Sequence, residues 1–230
     1  MAGVSRQQYA SDIKLIRVMC SGRVDLAFVL RAFSKGNDGV FIGGCHLNEC
    51  HYITNGNYHA LSMVLLCKKL LKHIGLSPER LRIEWLSAGE GIRFAEVMND
   101  FSKKLRELGP LTEGEGDGIT GLRGKLEALT GLVPYIRLVE RERLRVRFDS
   151  QEEYEKFYSS DEVDKLIREL ILDKLAVSQI MSLLREKPLS TGEISEILGL
   201  DPSEASRYLG SSARQGLINF DLTQKRFMTA

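Results

Sequence analysis

The stretch GGCHLNECHY, residues 43–52, sets two cysteines and two histidines on a glycine-flanked turn, and a third cysteine, Cys20, lies upstream in VMCSGR. Thiolates are soft ligands that favour zinc, copper(I) and iron–sulfur clusters, so Cys20, Cys45 and Cys50 suit a metal centre if the fold gathers them. A zinc site would also draw on His46 or His51, but the C-x2-C pair that usually supports one is missing from the sequence. Thiol catalysis by Cys45 and Cys50 lacks the C-x-x-C spacing at a helix start that lowers a thiol pKa. A buried structural role is the remaining reading, since free cysteine is among the most buried residue types. Cys67 fits that role, lying among Leu65, Leu66, Leu70 and Leu71. His46 and His51 suit either hydrogen bonds to cluster sulfurs or ordinary loop positions. Arg23 suits a positive charge beside an anionic cluster or a helix-capping role.

The elements around them decide whether the thiols meet. Residues 13–19 (IKLIRVM), 39–43 (GVFIG) and 81–86 (LRIEWL) are short β-rich runs, each followed by helical periodicity. The order β-α-β-α-β-α implies a parallel sheet with right-handed crossovers, which binds ligands beyond the carboxyl ends of its strands. Cys20 follows the first run and Cys45 the second, so both fall on one sheet edge, with Cys50 just beyond. The small-residue loop Ser87-Ala88-Gly89-Glu90-Gly91 reaches that edge after the third run. The first helix starts after Ser21 or Asp25 with Phe28, Val29, Ala32 and Phe33 inside. The second covers about 57–74 and closes at Gly75, and the third covers about 90–108 and ends at Gly109-Pro110.

Residues 109–130 are glycine-rich and acidic at their start, the composition of a linker. Residues 136–148 (IRLVERERLRVRF) alternate apolar with charged side chains and read as a strand or as a segment that pairs with one. Residues 160–186 carry a helical apolar set: Leu166, Ile167, Leu170, Leu175, Val177, Ile180, Met181 and Leu184. Ser190 and Glu193 have capping-box spacing ahead of a helix ended by Gly199, and Asp201-Pro202 opens another that stops at Gly216. Residues 217–220 and 226–228 flank a polar turn, which completes a winged helix-turn-helix pattern. The expected fold class is α/β: a small parallel-sheet three-layer domain over residues 1–108, a linker and connecting strand region over 109–158, and a winged helix-turn-helix-like α+β domain over 159–230.

Lys and Arg number 32 against 31 Asp and Glu, so overall charge gives no reason to expect a polyanion partner. The last helix offers Arg207, Ser211 and Arg214 to phosphate, and the wing offers Lys225 and Arg226. Asp201, Glu204 and Asp221 beside them argue for protein docking over DNA. The apolar run at 61–66 is interrupted by Lys68, Lys69 and Lys72 before the roughly 20 residues of a membrane span. The first residues lack the apolar core of a secretory signal, so a cytoplasmic, reducing location without disulfides is expected.

IRVMCSGRVD, FVLRAF, the DGV and GCHLNECHY segments, Gly56-Asn57 and the SAGEG after Trp85 together resemble the delta subunit of methyl-viologen-reducing hydrogenase, over about residues 2–102. The resemblance implies a small iron–sulfur subunit with one [2Fe-2S] cluster, and Cys20, Cys45 and Cys50 match cluster cysteines. It implies no catalysis by the chain alone. Electrons would pass between a second redox subunit, of hydrogenase, formate dehydrogenase or benzoyl-CoA reductase type, and a flavin-containing heterodisulfide-reductase-like subunit. Family members usually carry a further strand and a cysteine-bearing segment, in some with selenocysteine, ahead of the stretch that here reads Ala2-Gly3-Val4-Ser5-Arg6. The fourth ligand is therefore expected from such a segment, from Cys67 or from a partner subunit. The alternative function is a redox- or metal-sensing winged-helix transcription regulator.

Overall fold

The computed structural model describes residues 8–52, 54–111 and 121–230. Ala2–Arg6 and much of the glycine-rich acidic stretch lie outside the described residues. The rest divides into two compact units, one within Met1–Gly114 and Val146–Ser160, the other within Glu115–Arg145 and Asp161–Ala230.

In the first unit, Asp25 caps helix α1 (Leu26–Ser34) by accepting from the Ala27 N–H at 2.8 Å. Leu26, Val29, Leu30 and Phe33 recur at helical spacing and are buried, whereas Phe28, expected inside, is exposed. Strands β1 (Val40–Gly44) and β2 (Leu81–Trp85) pair in parallel, with Val40 opposite Leu81 and Gly44 opposite Trp85. Helix α2 (Asn57–His73) makes the crossover and buries Leu61, Val64, Leu66, Cys67, Leu70 and Leu71, more than one face, so it forms the centre of the core. Helix α3 (Gly91–Leu108) buries a stripe of Ala95, Met98 and Phe101. Gly75 and Gly109 follow α2 and α3 with φ of 89° and 73°, the left-handed geometry that glycine adopts at little steric cost. Buried Arg80 donates to the carbonyls of Asp38, Leu108 and Gly109, tying the end of α3 to the turn before β1.

The expected strand at 13–19 is not formed. Those residues have no regular structure, and Leu15, Ile16 and Met19 are 72%, 84% and 97% exposed. The alternating pattern suits a strand, but a strand needs a neighbour to pair with, and β1 is the only strand paired with β2 among the described residues. The strand read at 136–148 is also corrected. Helices α4 (Leu122–Gly131) and α5 (Val133–Arg143) belong to the second unit, and α5 buries Val133, Ile136 and Val139 at every third position, a helical interval hidden inside the alternation. The chain then returns to the first unit with α6 (Gln151–Tyr158), capped by Ser150, and lays Tyr154 and Tyr158 in the core.

The second unit continues with α7 (Asp161–Ile167), one π-helical turn over Arg168–Leu172, and α8 (Asp173–Glu186). Helices α9 (Thr191–Leu198) and α10 (Pro202–Arg214) and the antiparallel hairpin β3 (Ile218–Asp221) and β4 (Arg226–Thr229) complete a winged helix. Ile180, Leu184, Leu189, Ile194, Leu209 and Ile218 form its core. The Ser190/Glu193 capping box, the left-handed Gly199 and the Asp201 cap with Pro202 in the first turn are present as the sequence predicts. The expected class holds: an α/β unit with a small parallel sheet, and a winged-helix unit with a small antiparallel one.

The Ser190 N–H, then the Ser190 hydroxyl, hold the Glu193 carboxyl below the usual range. The Ser203 hydroxyl, then its N–H, do the same for Asp201. A carboxylate depressed on folding contributes stability above its unfolded pKa, about 4, and loses it as pH falls through the folded value. The unfolding midpoint is therefore expected to drop in acid, and by less in Glu193→Gln than in the unaltered chain. Thermal unfolding followed by circular dichroism between about pH 6 and pH 3 checks this. Equal acid losses in the two proteins contradict it.

Candidate functional site

Beyond β1 the chain runs through Cys45, His46, Asn48 and Cys50 before α2 begins at Asn57. The buried Asn57 side chain closes this loop, donating to the carbonyls of Cys45 at 3.1 Å and His46 at 2.7 Å, with its amide nitrogen 3.7 Å from Cys45 Sγ. Asn48 sits mid-loop at φ 68°, one of the two non-glycine residues in the left-handed region among those described. Its side-chain oxygen lies 3.0 Å from the Tyr58 hydroxyl.

Cys20 reaches this loop by another route than a strand end. It precedes a single turn of 3-10 helix, Ser21–Arg23, and the Arg23 N–H donates back to the Cys20 carbonyl at 3.0 Å. A Cβ on Gly22 would stand 2.0 Å from the Asn55 carbonyl oxygen, so only glycine lets the turn approach so closely. A Cβ on Gly56 would likewise stand 2.2 Å from Cys50 Sγ and 2.4 Å from the Tyr52 carbonyl oxygen. Gly56→Ala is expected to displace Cys50 and cost about 1–3 kcal/mol. Chemical denaturation together with the alkylation rate of Cys50 measures both effects, and an unchanged rate refutes the packing argument.

Cys45 and Cys20 both lie near enough to Cys50 to act on its thiol. Burial raises the Cys50 pKa, but N–H groups of Asn57 and Tyr52 and the thiols of Cys45 and Cys20 outweigh it, and the net shift is downward. Cys45 is pushed up to about 11 by burial and by hydrogen bonding to Cys50. Backbone N–H groups and the two neighbouring thiols thus favour the anionic form of Cys50. Among the described residues no set of three or more His, Cys, Asp or Glu side chains stands closed around a point as a metal site would. The four cysteines carry no disulfide.

An iron–sulfur group fits this donor set in type: soft sulfurs, backbone N–H groups aimed at one of them, and glycines where a Cβ would fill the space. Ser21, next to Cys20, has a buried hydroxyl with no hydrogen-bond partner. Cys67 does not join them. It is wholly buried on α2, ten residues or about 15 Å along the helix from Asn57, and burial pushes its thiol pKa up. It is a core residue and no candidate for the fourth ligand.

The histidines have other partners. His46 Nε2 lies 2.6 Å from Glu90 Oε2, and the Ser87 N–H donates to the same oxygen at 2.6 Å. Ser87, then His46, hold the Glu90 carboxyl down to about 2. The loop after β2 therefore reaches the cysteine edge through a carboxylate clamp. His51 is exposed and meets the Tyr52 ring edge-on. Arg23 is exposed on its turn. Asn57 escaped the sequence reading as a loop-closing group, and its only signal was an Asn directly behind a glycine at a helix start.

In the winged helix, the cations expected to meet phosphate are partly engaged. Arg207 pairs with Asp173 at 3.2 Å and lies 4.5 Å over the Tyr208 ring. Tyr208 donates to Asp173 at 2.6 Å, and burial, then that carboxylate, push its pKa up to about 12. Arg226 pairs with Glu193 at 2.9 Å and donates to the Pro188 carbonyl.

Fold and site define a two-unit protein: an α/β unit with a thiol-bearing edge, joined in sequence to a winged helix. Residues 1–109 match the family described as "Methyl-viologen-reducing hydrogenase, delta subunit", and residues 176–219 match "Bacterial regulatory protein, arsR family". The iron-sulfur subunit of the F420-non-reducing hydrogenase of Archaeoglobus profundus is 51% identical over 110 residues, 48% of this chain and 80% of that protein. The iron-sulfur subunit of the F420-non-reducing hydrogenase vhc of Methanococcus voltae is 48% identical over 117 residues, 51% of this chain and 81% of that protein. One subunit of the Ferredoxin/F(420)H(2)-dependent CoB-CoM heterodisulfide reductase of Methanosarcina acetivorans is 48% identical over 111 residues, 48% of this chain but 14% of that protein. The chain belongs to the methyl-viologen-reducing hydrogenase delta subunit family.

Proposed function

We propose that the chain is an electron-transfer subunit whose Cys20, Cys45 and Cys50 hold a [2Fe-2S] cluster. The observation that carries this reading is the nearness of the Cys45 and Cys20 thiols to Cys50, beside glycines at which a Cβ would fill the space. When bound, such a cluster accepts and releases one electron at a time. Asn57 fixes the Cys45 loop, Gly22 and Gly56 permit the close approach, and the Tyr52 and Asn57 N–H groups stabilise negative charge on Cys50. The fourth ligand comes from a partner subunit. No catalytic base or nucleophile of this chain is required.

The partners we propose are a flavin-containing heterodisulfide-reductase-like subunit and a second redox subunit of hydrogenase, formate dehydrogenase or benzoyl-CoA reductase type. Support for the first is the occurrence of a related segment inside a heterodisulfide reductase polypeptide. No helix among the described residues is long and apolar enough to cross a membrane. A cytoplasmic location is part of the proposal, since the related subunits belong to hydrogenase and heterodisulfide reductase enzymes.

Anaerobic reconstitution with iron, sulfide and excess dithiothreitol, whose thiolate can stand in for the fourth ligand, tests this. About two irons per chain and reversible visible absorption are expected, with an electron paramagnetic resonance signal on reduction. Failure of the unaltered chain to take up iron overturns the reading. The arsR-family match supports a second reading, a redox-sensing regulator on DNA. The engagement of Arg207 and Arg226 by carboxylates of their own unit weighs against it. Salt-dependent retention of duplex DNA that changes on reduction decides for the regulator.

A further inference from the structure

The family match ends at residue 109, yet Val146–Ser160 belongs to the same compact unit as the cysteine edge. Two contacts fasten it there. The Tyr58 hydroxyl donates to the Asp149 carbonyl at 2.5 Å while lying 3.0 Å from Asn48, midway between Cys45 and Cys50. Trp85 Nε1 donates to Gln151 Oε1 at 2.9 Å, and the Trp85 ring packs so close to Gly44 that a Cβ there would lie 2.9 Å from it. Gly44 immediately precedes Cys45. The segment thus bears on the residue before the first loop cysteine and on the residue between the two.

The segment is itself held rigidly. Ser150 caps α6, and Glu153 Oε2 accepts from the Asp149 N–H at 3.2 Å, which fixes the Asp149 carbonyl that Tyr58 uses. Tyr154 stacks on Tyr58 with ring centroids 5.4 Å apart and planes at 18°, and Phe148 meets Tyr154 edge-on. Buried Tyr158 bonds to Ser62 of α2 at 2.7 Å. Tyr58 is therefore gripped on its face and its hydroxyl by residues that the family match does not reach.

We infer that Val146–Ser160 is a strap that positions the Cys45–Cys50 loop, with Tyr58 and Gln151 as its positioning residues. The inference deepens the electron-transfer reading, on which its relevance to a cluster rests, but the strap acts on the polypeptide with or without iron. Releasing Tyr58 frees Asn48 from its left-handed position, and releasing Trp85 frees the approach to Gly44. Either change loosens the thiols without touching them.

The test uses the whole 230-residue chain free of cofactor. Iodoacetamide alkylation of each cysteine is followed by mass spectrometry in the unaltered protein, Tyr58→Phe and Gln151→Ala. Tyr58→Phe keeps the stacked ring and loses only the hydroxyl. Alkylation of Cys45 and Cys50 several-fold faster in both variants, with Cys67 equally protected and the unfolding midpoint within error, is the expected result. Equal rates at Cys45 and Cys50 in all three proteins overturn the strap. A second measurement, the midpoint potential of the reconstituted protein, is expected to differ between Tyr58→Phe and the unaltered chain at equal iron content. A chain that binds no iron defeats the electron-relay proposal and leaves the alkylation result standing.

Discussion

Cys50→Ala is expected to leave the anaerobically reconstituted chain without visible absorption and with little bound iron, whereas Cys67→Ala is expected to keep both. Cys50 is the sulfur whose anionic form the Asn57 and Tyr52 N–H groups and the neighbouring Cys45 and Cys20 thiols favour. On the proposed assignment, removing it deletes a ligand and leaves those N–H groups without the anion they stabilise. The loss in iron affinity is expected to exceed that of any substitution outside the trio, because a cluster deprived of one thiolate has no neighbouring donor to replace it: Glu90 already binds His46, and Cys67 is some 15 Å along α2. Cys67→Ala removes a fully buried sulfur and costs stability by opening a small cavity, about 1–2 kcal/mol, without touching the site. Iron analysis and visible spectra of the two variants decide the matter. Equal iron content in both would refute the assignment.

The second large effect is one of stability. Tyr158 is 2% exposed, edge-on to Phe157, and its hydroxyl shares a buried hydrogen bond with Ser62. Tyr158→Ala opens a ring-sized cavity and leaves the Ser62 hydroxyl unpaired, together about 4–6 kcal/mol. That is a large part of the roughly 5–15 kcal/mol that usually separates folded from unfolded domains. Tyr158→Phe keeps the packing, and about 1 kcal/mol is expected. Urea unfolding of the two variants, with Ser62→Ala added to close a double-mutant cycle, measures the ring and the hydrogen bond separately. A Tyr158→Ala chain as stable as the unaltered one would show that α6 contributes nothing to the first unit.

How far the sequence could be read depended on whether a signal was local. The ends of α2, α3, α9 and α10 were legible because Gly75, Gly109, Gly199 and the Asp201-Pro202 pair act through their own backbone geometry. IKLIRVM carried an equally strong strand pattern and formed no strand, since pairing depends on a partner that the pattern does not contain. In α5 the alternation of charged and apolar residues concealed the interval of three that burial follows.

The gathering of Cys20, Cys45 and Cys50 was expected from strand ends on one edge. Only one of those two strands is present among the described residues, and Cys20 approaches the loop by another route, because Gly22 lets the Ser21–Arg23 turn meet the Asn55–Gly56 backbone. The Asn57 bridge and the strap were invisible for a different reason. Both join residues whose types are unremarkable and whose pairing exists only once α2 is in place.

Because α6 completes the unit that holds the cysteines, that unit cannot finish folding on the ribosome when its first hundred residues have emerged. The tyrosine-lined side of α2 stays open while α4 and α5 are synthesised, until Tyr158 has left the exit tunnel. A fragment cut where the family likeness stops would carry this unfinished flank permanently, and so would meet chaperones or its own copies through it.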